Sequence, residues 1–384
     1  MNIAIYTNIL TPYRKYFYDM LYEECKKSGD EFHILLMAET EPNRNWKYDE
    51  YKTDYTILLN CKTFSMGETF IHFNNNLKAV LKELKLDILV CAGSYLCPGI
   101  WEALRLKKRL GYMIYFWSES HLNEKRHYGD VKVKIRECIR KMVYRRFDGF
   151  WYAGKMSRQF IESYCKPNAD MYFMPNLVEE DKYKLAVNVS NKEKELIRKK
   201  YNVSKENIVL VCPARLSPVK GIDKFISILA KAKQTRKVTL LVAGDGELKD
   251  KISSMAEEEK IDVRLLGFQN QKSIIELYSI ADVFVLPSLS DPNPLTCIEA
   301  LWAGLPLFIS EHCGNYLEVV SQGSNGYVFS YSDINTTVDR LNSLLYSNED
   351  WHSTAKQVSI QIANEKYNSR KVVQGVIEYY HGCQ

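Results

Sequence analysis

The chain has 384 residues, of which 46% are hydrophobic and 26% charged, and its formal net charge at pH 7 is +5. The length predicts two globular domains, and the small charge does not indicate nucleic-acid binding. No apolar run approaches the roughly 20 residues of a membrane span, and the first residues lack a signal-peptide pattern, so we expect a cytoplasmic protein.

The first half of the sequence alternates short β-branched or aromatic runs with amphipathic segments. Strands are predicted at 3–6, 32–37, 88–92, 113–117 and 149–152, with helices between them, for example at 75–84 and 100–110. This alternation is typical of a parallel sheet covered by helices on both faces.

The segment 131–147 reads as a basic amphipathic helix. Its apolar residues recur at helical spacing and include Ile135, Cys138, Met142 and Phe147, and lysines and arginines occupy the remaining positions. Two interpretations stay open: attraction to an anionic membrane surface, or a core helix with a solvated charged face.

The second half shows the same alternation of strands and helices after a polar linker near 175–188. Strands are predicted at 208–213, 238–243, 263–266, 283–287, 307–310 and 327–329, and helices at 192–201, 222–233, 247–259, 273–279 and 295–303. The sequence therefore predicts two doubly wound α/β domains, whose ligands would bind at the carboxyl ends of the strands.

Two cations lie where the first strand of this second half ends. Arg215 and Lys220 precede Gly221, after which a helix begins. Exposed N–H groups and the helix dipole favour an anion at the amino terminus of a helix, so Arg215 and Lys220 could bind a diphosphate. The alternative is a pair of solvated surface cations.

A second strand ends in a glycine turn that contains Gly244 and Gly246. Glycines permit positive φ values and a close backbone approach to a ligand, but an ordinary turn between strand and helix would explain them equally well.

The segment 286–306 carries two carboxylates around a predicted helix start. Asp291 precedes Pro294, and Glu299 lies about one turn inside the helix. An ionised carboxylate can accept both hydroxyls of a ribose, so Glu299 is a candidate nucleotide ligand. The alternative is a glutamate that only stabilises the helix near its amino terminus.

Together these motifs resemble the retaining GT-B glycosyltransferases of family 4. In that resemblance, Arg215 and Lys220 match the phosphate-binding pair, and Glu299 matches the second glutamate of the E-x7-E motif. Asp291 occupies the first position of the motif, where the family usually has glutamate. The resemblance covers nearly the whole chain and implies two Rossmann-like domains facing a cleft.

The resemblance also implies where the donor binds. The segment Asn293, Pro294, Leu295 and Thr296 is similar to the loop that holds the donor sugar and phosphate, and Gly267 and Phe268 fall where the family holds the base. A nucleotide diphosphate sugar would be the donor substrate, with a UDP-sugar favoured and a GDP-sugar as the alternative. No metal ion or other cofactor is expected.

The amino-terminal half would face the acceptor. The loop with Pro12 and Arg14 is similar to the family's loop at acceptor and diphosphate, and either Glu119 or His121 could occupy the place of a histidine that touches the donor sugar. The resemblance implies domains at 1–178 and 179–365, with a last helix within 366–384 packing back on the first.

The function implied is transfer of a hexose or N-acetylhexosamine, with retention, to a polysaccharide, lipopolysaccharide or lipid-linked acceptor. The enzyme would be cytoplasmic or peripheral at the inner face of the cell membrane. A sugar-nucleotide epimerase of similar architecture and a noncatalytic nucleotide-sugar-binding partner remain alternatives. A dinucleotide oxidoreductase is disfavoured because no glycine-rich turn follows the first strand.

Overall fold

The computed structural model describes residues 1–41, 52–66, 69–122, 130–233 and 237–382. Within these ranges the chain forms two compact units. The first comprises residues 1–122, 130–178 and 369–382, and the second comprises residues 179–368. Each unit contains its own parallel sheet.

The first unit has a seven-stranded sheet in the order β3-β2-β1-β6-β7-β8-β9, with all neighbours parallel. Its strands are β1 (Asn2–Thr7), β2 (Glu31–Leu36), β3 (Thr56–Leu58), β6 (Ile88–Ala92), β7 (Met113–Ser118), β8 (Gly149–Tyr152) and β9 (Asp170–Phe173). An antiparallel pair, β4 (Cys61–Met66) and β5 (Thr69–Asn74), lies outside this sheet.

Helices cover both faces of this sheet. They are α1 (Pro12–Ser28), α2 (Leu77–Leu84), α3 (Pro98–Leu110), α4 (Asp130–Tyr144) and α5 (Lys155–Glu162). Proline at the start of α1 and of α3, and a left-handed glycine after each, bound these two helices.

The second unit has six parallel strands in the order β12-β11-β10-β13-β14-β15. Their bounds are β10 (Ile208–Cys212), β11 (Val238–Val242), β12 (Asp262–Leu265), β13 (Val283–Leu286), β14 (Leu307–Ser310) and β15 (Gly326–Phe329). The strand order reverses between β10 and β13, and a crevice opens at such a switch point of an α/β sheet.

The helices of the second unit begin directly after the first unit ends. They are α6 (Glu180–Lys184), α7 (Asn191–Lys200), α8 (Ile222–Lys231), α9 (Lys249–Glu258), α10 (Gln271–Ile280), α11 (Leu295–Trp302), α12 (Tyr316–Val319), α13 (Ile334–Leu345) and α14 (Glu349–Lys366). The predicted linker near 175–188 is therefore mostly helical, since α6 and a 3₁₀ turn at Leu185–Asn188 occupy it.

The last helix, α15 (Ser369–Gly382), belongs to the first unit. Val373, Val376, Ile377 and Tyr380 are buried in the same core cluster as residues of α1, β1 and β2. The Tyr380 hydroxyl accepts a hydrogen bond of 2.7 Å from Trp151 Nε1, and both side chains are buried.

The helix predicted at 131–147 is present as α4, with different bounds. The helix ends at Tyr144, and three of its apolar residues are exposed: Ile135 at 55%, Met142 at 43%, and Cys138. Arg140 instead turns inward, with its guanidinium about 5 Å from the ring centroids of Tyr95, Phe160 and Tyr164. The side chains of Val131 and Lys132 lie outside the described residues.

None of the helices in the described residues is both long and apolar enough to cross a membrane.

Candidate functional site

Two loops meet at the switch point of the second sheet. The loop after β10 leads to Gly221, which has φ of +63°, and a Cβ there would lie 2.3 Å from the Pro287 carbonyl oxygen in the loop after β13. The Leu289 amide donates to the Val219 carbonyl at 2.7 Å. Only glycine permits this approach, so the two loops are held together at one edge.

An ion pair joins these loops. Lys220 Nζ lies 2.5 Å from Asp291 Oδ2, and the two side chains are only 24% and 14% exposed. The Asp291 backbone is held by the loop after β14, since its amide donates to the His312 carbonyl and its carbonyl accepts from Gly314. The predicted phosphate-binding cation and the predicted sugar-binding carboxylate are thus neighbours.

Arg215 lies in the same loop as Lys220 but is exposed. In the described part of the chain its guanidinium has no hydrogen-bond or ion-pair partner. Its donors therefore remain available to a ligand at the carboxyl edge of the sheet.

Glu299 lies within α11, and two tyrosines hold its carboxylate. The Tyr183 hydroxyl donates to Oε1 at 2.8 Å, and the Tyr278 hydroxyl donates to Oε2 at 2.9 Å. Burial raises the pKa of Glu299, and the two hydroxyls act in the opposite direction. Each carboxylate oxygen keeps one lone pair for a further hydrogen bond.

The sequence analysis missed Tyr183 and Tyr278. They lie on α6 and α10, which are 116 and 21 residues away from Glu299 in the sequence. No local motif marks either residue, because their common role depends on how α6, α10 and α11 pack.

The glycine turn after β11 approaches protein backbone. A Cβ on Gly244 would lie 2.0 Å from the Ala214 carbonyl oxygen, and one on Gly246 would lie 2.4 Å from the Leu216 carbonyl oxygen. The Leu216 amide also donates to the Asp245 carbonyl at 3.0 Å. The two glycines therefore let this turn support the loop that carries Arg215, which is a different reason for glycine from the ligand contact that the sequence suggested.

Gly267 and Phe268 follow β12, at the same edge. Gly267 has φ of +67° and pairs through an isolated β-bridge with Gly244. Phe268 is 85% exposed, the largest exposure among the large apolar side chains that the structure describes. A fully presented aromatic face is suited to stacking on a planar ligand.

The start of α11 presents backbone groups. Pro294 is the N-cap residue, and no side chain caps the helix. The Pro294 carbonyl accepts from Asn315 Nδ2 at 3.1 Å, and Asn293 is buried beside it. The amides of Leu295 and Thr296 begin the helix, where an anion is favoured.

The candidate residues of the first unit gather at the carboxyl end of β7. Arg14, near the start of α1 after Pro12, forms an ion pair with Glu119, and its guanidinium lies 4.2 Å from the centroid of the Trp117 ring. His121 is 1% exposed. Of the two alternatives, Glu119 is the partly exposed side chain and is paired with Arg14, whereas His121 is buried.

Across the described ranges, no group of three or more His, Cys, Asp or Glu side chains is placed to hold a metal ion. The carboxylates of the site are paired: Asp291 with Lys220, Glu119 with Arg14, and Glu299 with the two tyrosines.

Residues 193–359, which lie within the second unit, match the family model described as Glycosyl transferases group 1. Over 208 residues the chain is 25% identical to N-acetyl-alpha-D-glucosaminyl L-malate synthase of Bacillus anthracis, covering 54% of this chain and 52% of that protein. It is 24% identical over 237 residues to the lipopolysaccharide 1,2-N-acetylglucosaminetransferase of Salmonella typhimurium, covering 54% and 60%. The chain thus spans between half and two thirds of the length of these relatives.

The fold matches over the full length. A structure of Anabaena HepE in complex with UDP superposes with a TM-score of 0.77 at 16% identity, and all of both chains is covered. This match confirms the predicted α/β class with two parallel-sheet domains of the GT-B type.

Proposed function

We propose that this protein is a retaining glycosyltransferase of family 4 that transfers a hexose or N-acetylhexosamine from a nucleotide diphosphate sugar. The observation that carries the proposal is the arrangement at one edge of the second sheet. There the ion pair of Lys220 and Asp291 and the tyrosine-held Glu299 lie on loops and a helix that follow neighbouring strands.

The site residues divide between the parts of the donor. Arg215, Lys220 and the amides at the start of α11 bind the diphosphate, since they combine two cations with a helix amino terminus. Glu299 accepts the ribose hydroxyls, and Phe268 stacks on the base. Asp291 contacts the sugar, and its carboxylate reaches about one methylene less far than that of a glutamate.

The reaction needs no side chain to act as a general base. The acceptor hydroxyl oxygen attacks the anomeric carbon from the face that the diphosphate leaves, and an oxygen of the departing phosphate takes the hydroxyl proton. Arg215 and Lys220 stabilise the negative charge that develops on the leaving diphosphate. The ion pair with Asp291 fixes Lys220 before the donor arrives, so little reorganisation is required.

We propose a UDP-sugar as donor, with a GDP-sugar as the alternative, and a polysaccharide, lipopolysaccharide or lipid-linked glycan as acceptor. The UDP bound to HepE supports the nucleotide, and the lipopolysaccharide acceptor named for the Salmonella relative supports the acceptor class. On this proposal the enzyme is cytoplasmic and works without a metal ion, and Pro12, Arg14 and Glu119 are its contacts to the acceptor or the donor sugar.

A donor panel tests the proposal. Thermal unfolding and donor hydrolysis are measured with UDP-, GDP- and ADP-sugars, each with and without EDTA. Selective stabilisation by one nucleotide sugar that survives the chelator is expected, because a ligand of the native state raises its stability. Formation of an epimerised nucleotide sugar without acceptor would support the epimerase instead, and no response to any donor would contradict the assignment.

We further propose that α4 binds an anionic membrane surface. Its exposed apolar side chains Ile135 and Met142 are flanked by Lys134, Lys141 and Arg145, which are exposed as well. Apolar side chains that enter the lipid boundary between cations attracted to anionic headgroups are typical of interfacial helices.

The double variant Ile135→Asp with Met142→Asp is expected to lower binding to phosphatidylglycerol vesicles by on the order of tenfold. The variant removes apolar area that the lipid boundary would bury, and its carboxylates are repelled by the anionic headgroups. Co-sedimentation measures the bound fraction. Leu196→Asp is a matched control, since Leu196 is 58% exposed on α7 of the other unit. Equal vesicle binding by the wild type and the double variant would contradict the proposal.

A further inference from the structure

A cavity lies at the opposite end of the second sheet from the candidate donor site. Its volume is about 380 Å³, and it is lined by the residues just before β13 and β14 together with side chains of α7, α10 and α14. The size is that of a small-molecule site. Because the site residues described above follow the carboxyl ends of the strands, none of the loops that bind the donor reaches this cavity.

Two lysines in this cavity lack partners. Lys194 on α7 and Lys356 on α14 both line it, and within the described ranges neither ammonium has a hydrogen-bond or ion-pair partner. The pKa of Lys194 is lowered by burial and by repulsion from Lys356. Repulsion and partial desolvation destabilise two ammonium groups in one cavity. An anion bound between them would offset both effects.

The carboxylate of Asp282 in the cavity attracts Lys194 but is shared with other partners. Asp282 Oδ2 accepts from the Val209 amide at 2.7 Å and lies 3.5 Å from Arg198 Nη2. Asp282 is therefore occupied in joining β10, β13 and α7. His352 on α14 adds a ring that is hydrogen-bonded to Ser347 through Nε2.

The backbone is shaped to hold one of the lysines in place. Gly304, with φ of +68°, lies directly below the Lys356 side chain, and a Cβ there would be 2.8 Å from Lys356 Cγ. A larger residue would displace the lysine stem. The turn that ends α11 therefore packs closely against the stem of this lysine.

We propose that this cavity binds a phosphorylated small molecule of hexose-phosphate size, and that its occupation changes the affinity of the donor site. The ammonium groups of Lys194 and Lys356 pair with the phosphate, and the remaining volume takes a sugar ring. The connection is Tyr278, which lines the cavity and whose hydroxyl donates to Glu299. The coupling rests on the proposed function, whereas binding in the cavity does not.

Calorimetric titration with glucose 6-phosphate and with inorganic phosphate tests the site. The variant Lys194→Gln with Lys356→Gln is expected to bind glucose 6-phosphate at least tenfold more weakly than the wild type. Lys192→Gln with Lys199→Gln is the control, since it removes the same charge from exposed positions of α7. Lys220→Ala is expected to leave this binding unchanged, which separates it from phosphate bound at the donor site.

Equal binding by the wild type and the cavity variant, or no binding of either phosphate, would overturn the proposal. Equal affinity for the two phosphates, lost in the cavity variant, would support a site that recognises the phosphate group without the sugar.

The coupling has its own measurement. The dissociation constant of UDP is expected to change by about fivefold or more when glucose 6-phosphate saturates the cavity, and Tyr278→Phe is expected to abolish the change. An unchanged UDP affinity would overturn the coupling. Failure of UDP to bind under any condition would instead contradict the proposed function and leave the cavity titration as an independent result.

Discussion

Replacing Lys220 with alanine is expected to lower kcat by on the order of 100-fold or more, because the ammonium stabilises charge that develops on the leaving diphosphate. The variant also leaves the Asp291 carboxylate without its partner at 2.5 Å. An unpaired carboxylate beside a departing diphosphate adds repulsion, so the loss in kcat should exceed any loss in donor affinity. Steady-state kinetics with the donor that the panel identifies measures both.

Two further variants separate the charge on Lys220 from the integrity of the loop. Lys220→Ala combined with Asp291→Asn removes the unpaired carboxylate, so it should recover thermal stability but not turnover. Lys224→Ala removes a neighbouring cation that faces the Tyr331 ring and should keep near-normal kcat. Near-normal turnover by Lys220→Ala itself would remove this lysine from the mechanism.

Glu299→Gln is expected to weaken UDP binding by about 10- to 100-fold while it changes kcat much less. A hydrogen bond to a charged group contributes about 1.5–3 kcal/mol, and the neutral amide accepts with only one of its two terminal atoms. The Tyr183 and Tyr278 hydroxyls would also lose one acceptor between them. Calorimetric titration with UDP measures the loss.

A ligand that lacks the ribose hydroxyls tests whether Glu299 binds the ribose. If Glu299 binds the ribose, 2′,3′-dideoxy-UDP should bind the wild type and Glu299→Gln with nearly equal affinity, because the variant and the ligand remove the same interaction. Tyr183→Phe should lower UDP affinity by a smaller factor, since it removes one of the two hydrogen bonds that orient the Glu299 carboxylate. An unchanged UDP affinity in Glu299→Gln would show that the carboxylate only stabilises the fold.

The strands of both sheets could be predicted closely where they are apolar and central. Those at 88–92, 149–152 and 307–310 have the predicted bounds, because short, mostly apolar runs are typical of strands that are covered on both faces. β3 and β9 were missed, since they are short edge strands whose residues are only partly buried or exposed. The β4 and β5 pair was missed because it lies outside both parallel sheets.

The residues of the candidate site could be predicted from sequence motifs, but the contacts between them could not. Arg215, Lys220, Asp291 and Glu299 were found because each follows a strand that the sequence marks. The pairing of Lys220 with Asp291 and the tyrosines around Glu299 depend on strand order, which periodicity does not encode. Arg140 packs among aromatic rings, whereas the sequence pattern placed it on the charged face of the predicted helix.

The position of α15 has a consequence for how the chain folds during synthesis. Among the described residues the second unit is one continuous segment, residues 179–368, whereas the first unit needs Val373, Val376, Ile377 and Tyr380 to complete its core. The unit that emerges first from the ribosome is thus completed last, so the usual amino-terminal-first order of folding is interrupted. We expect a nascent chain that lacks α15 to hold a folded second unit beside a first unit that chaperones still recognise.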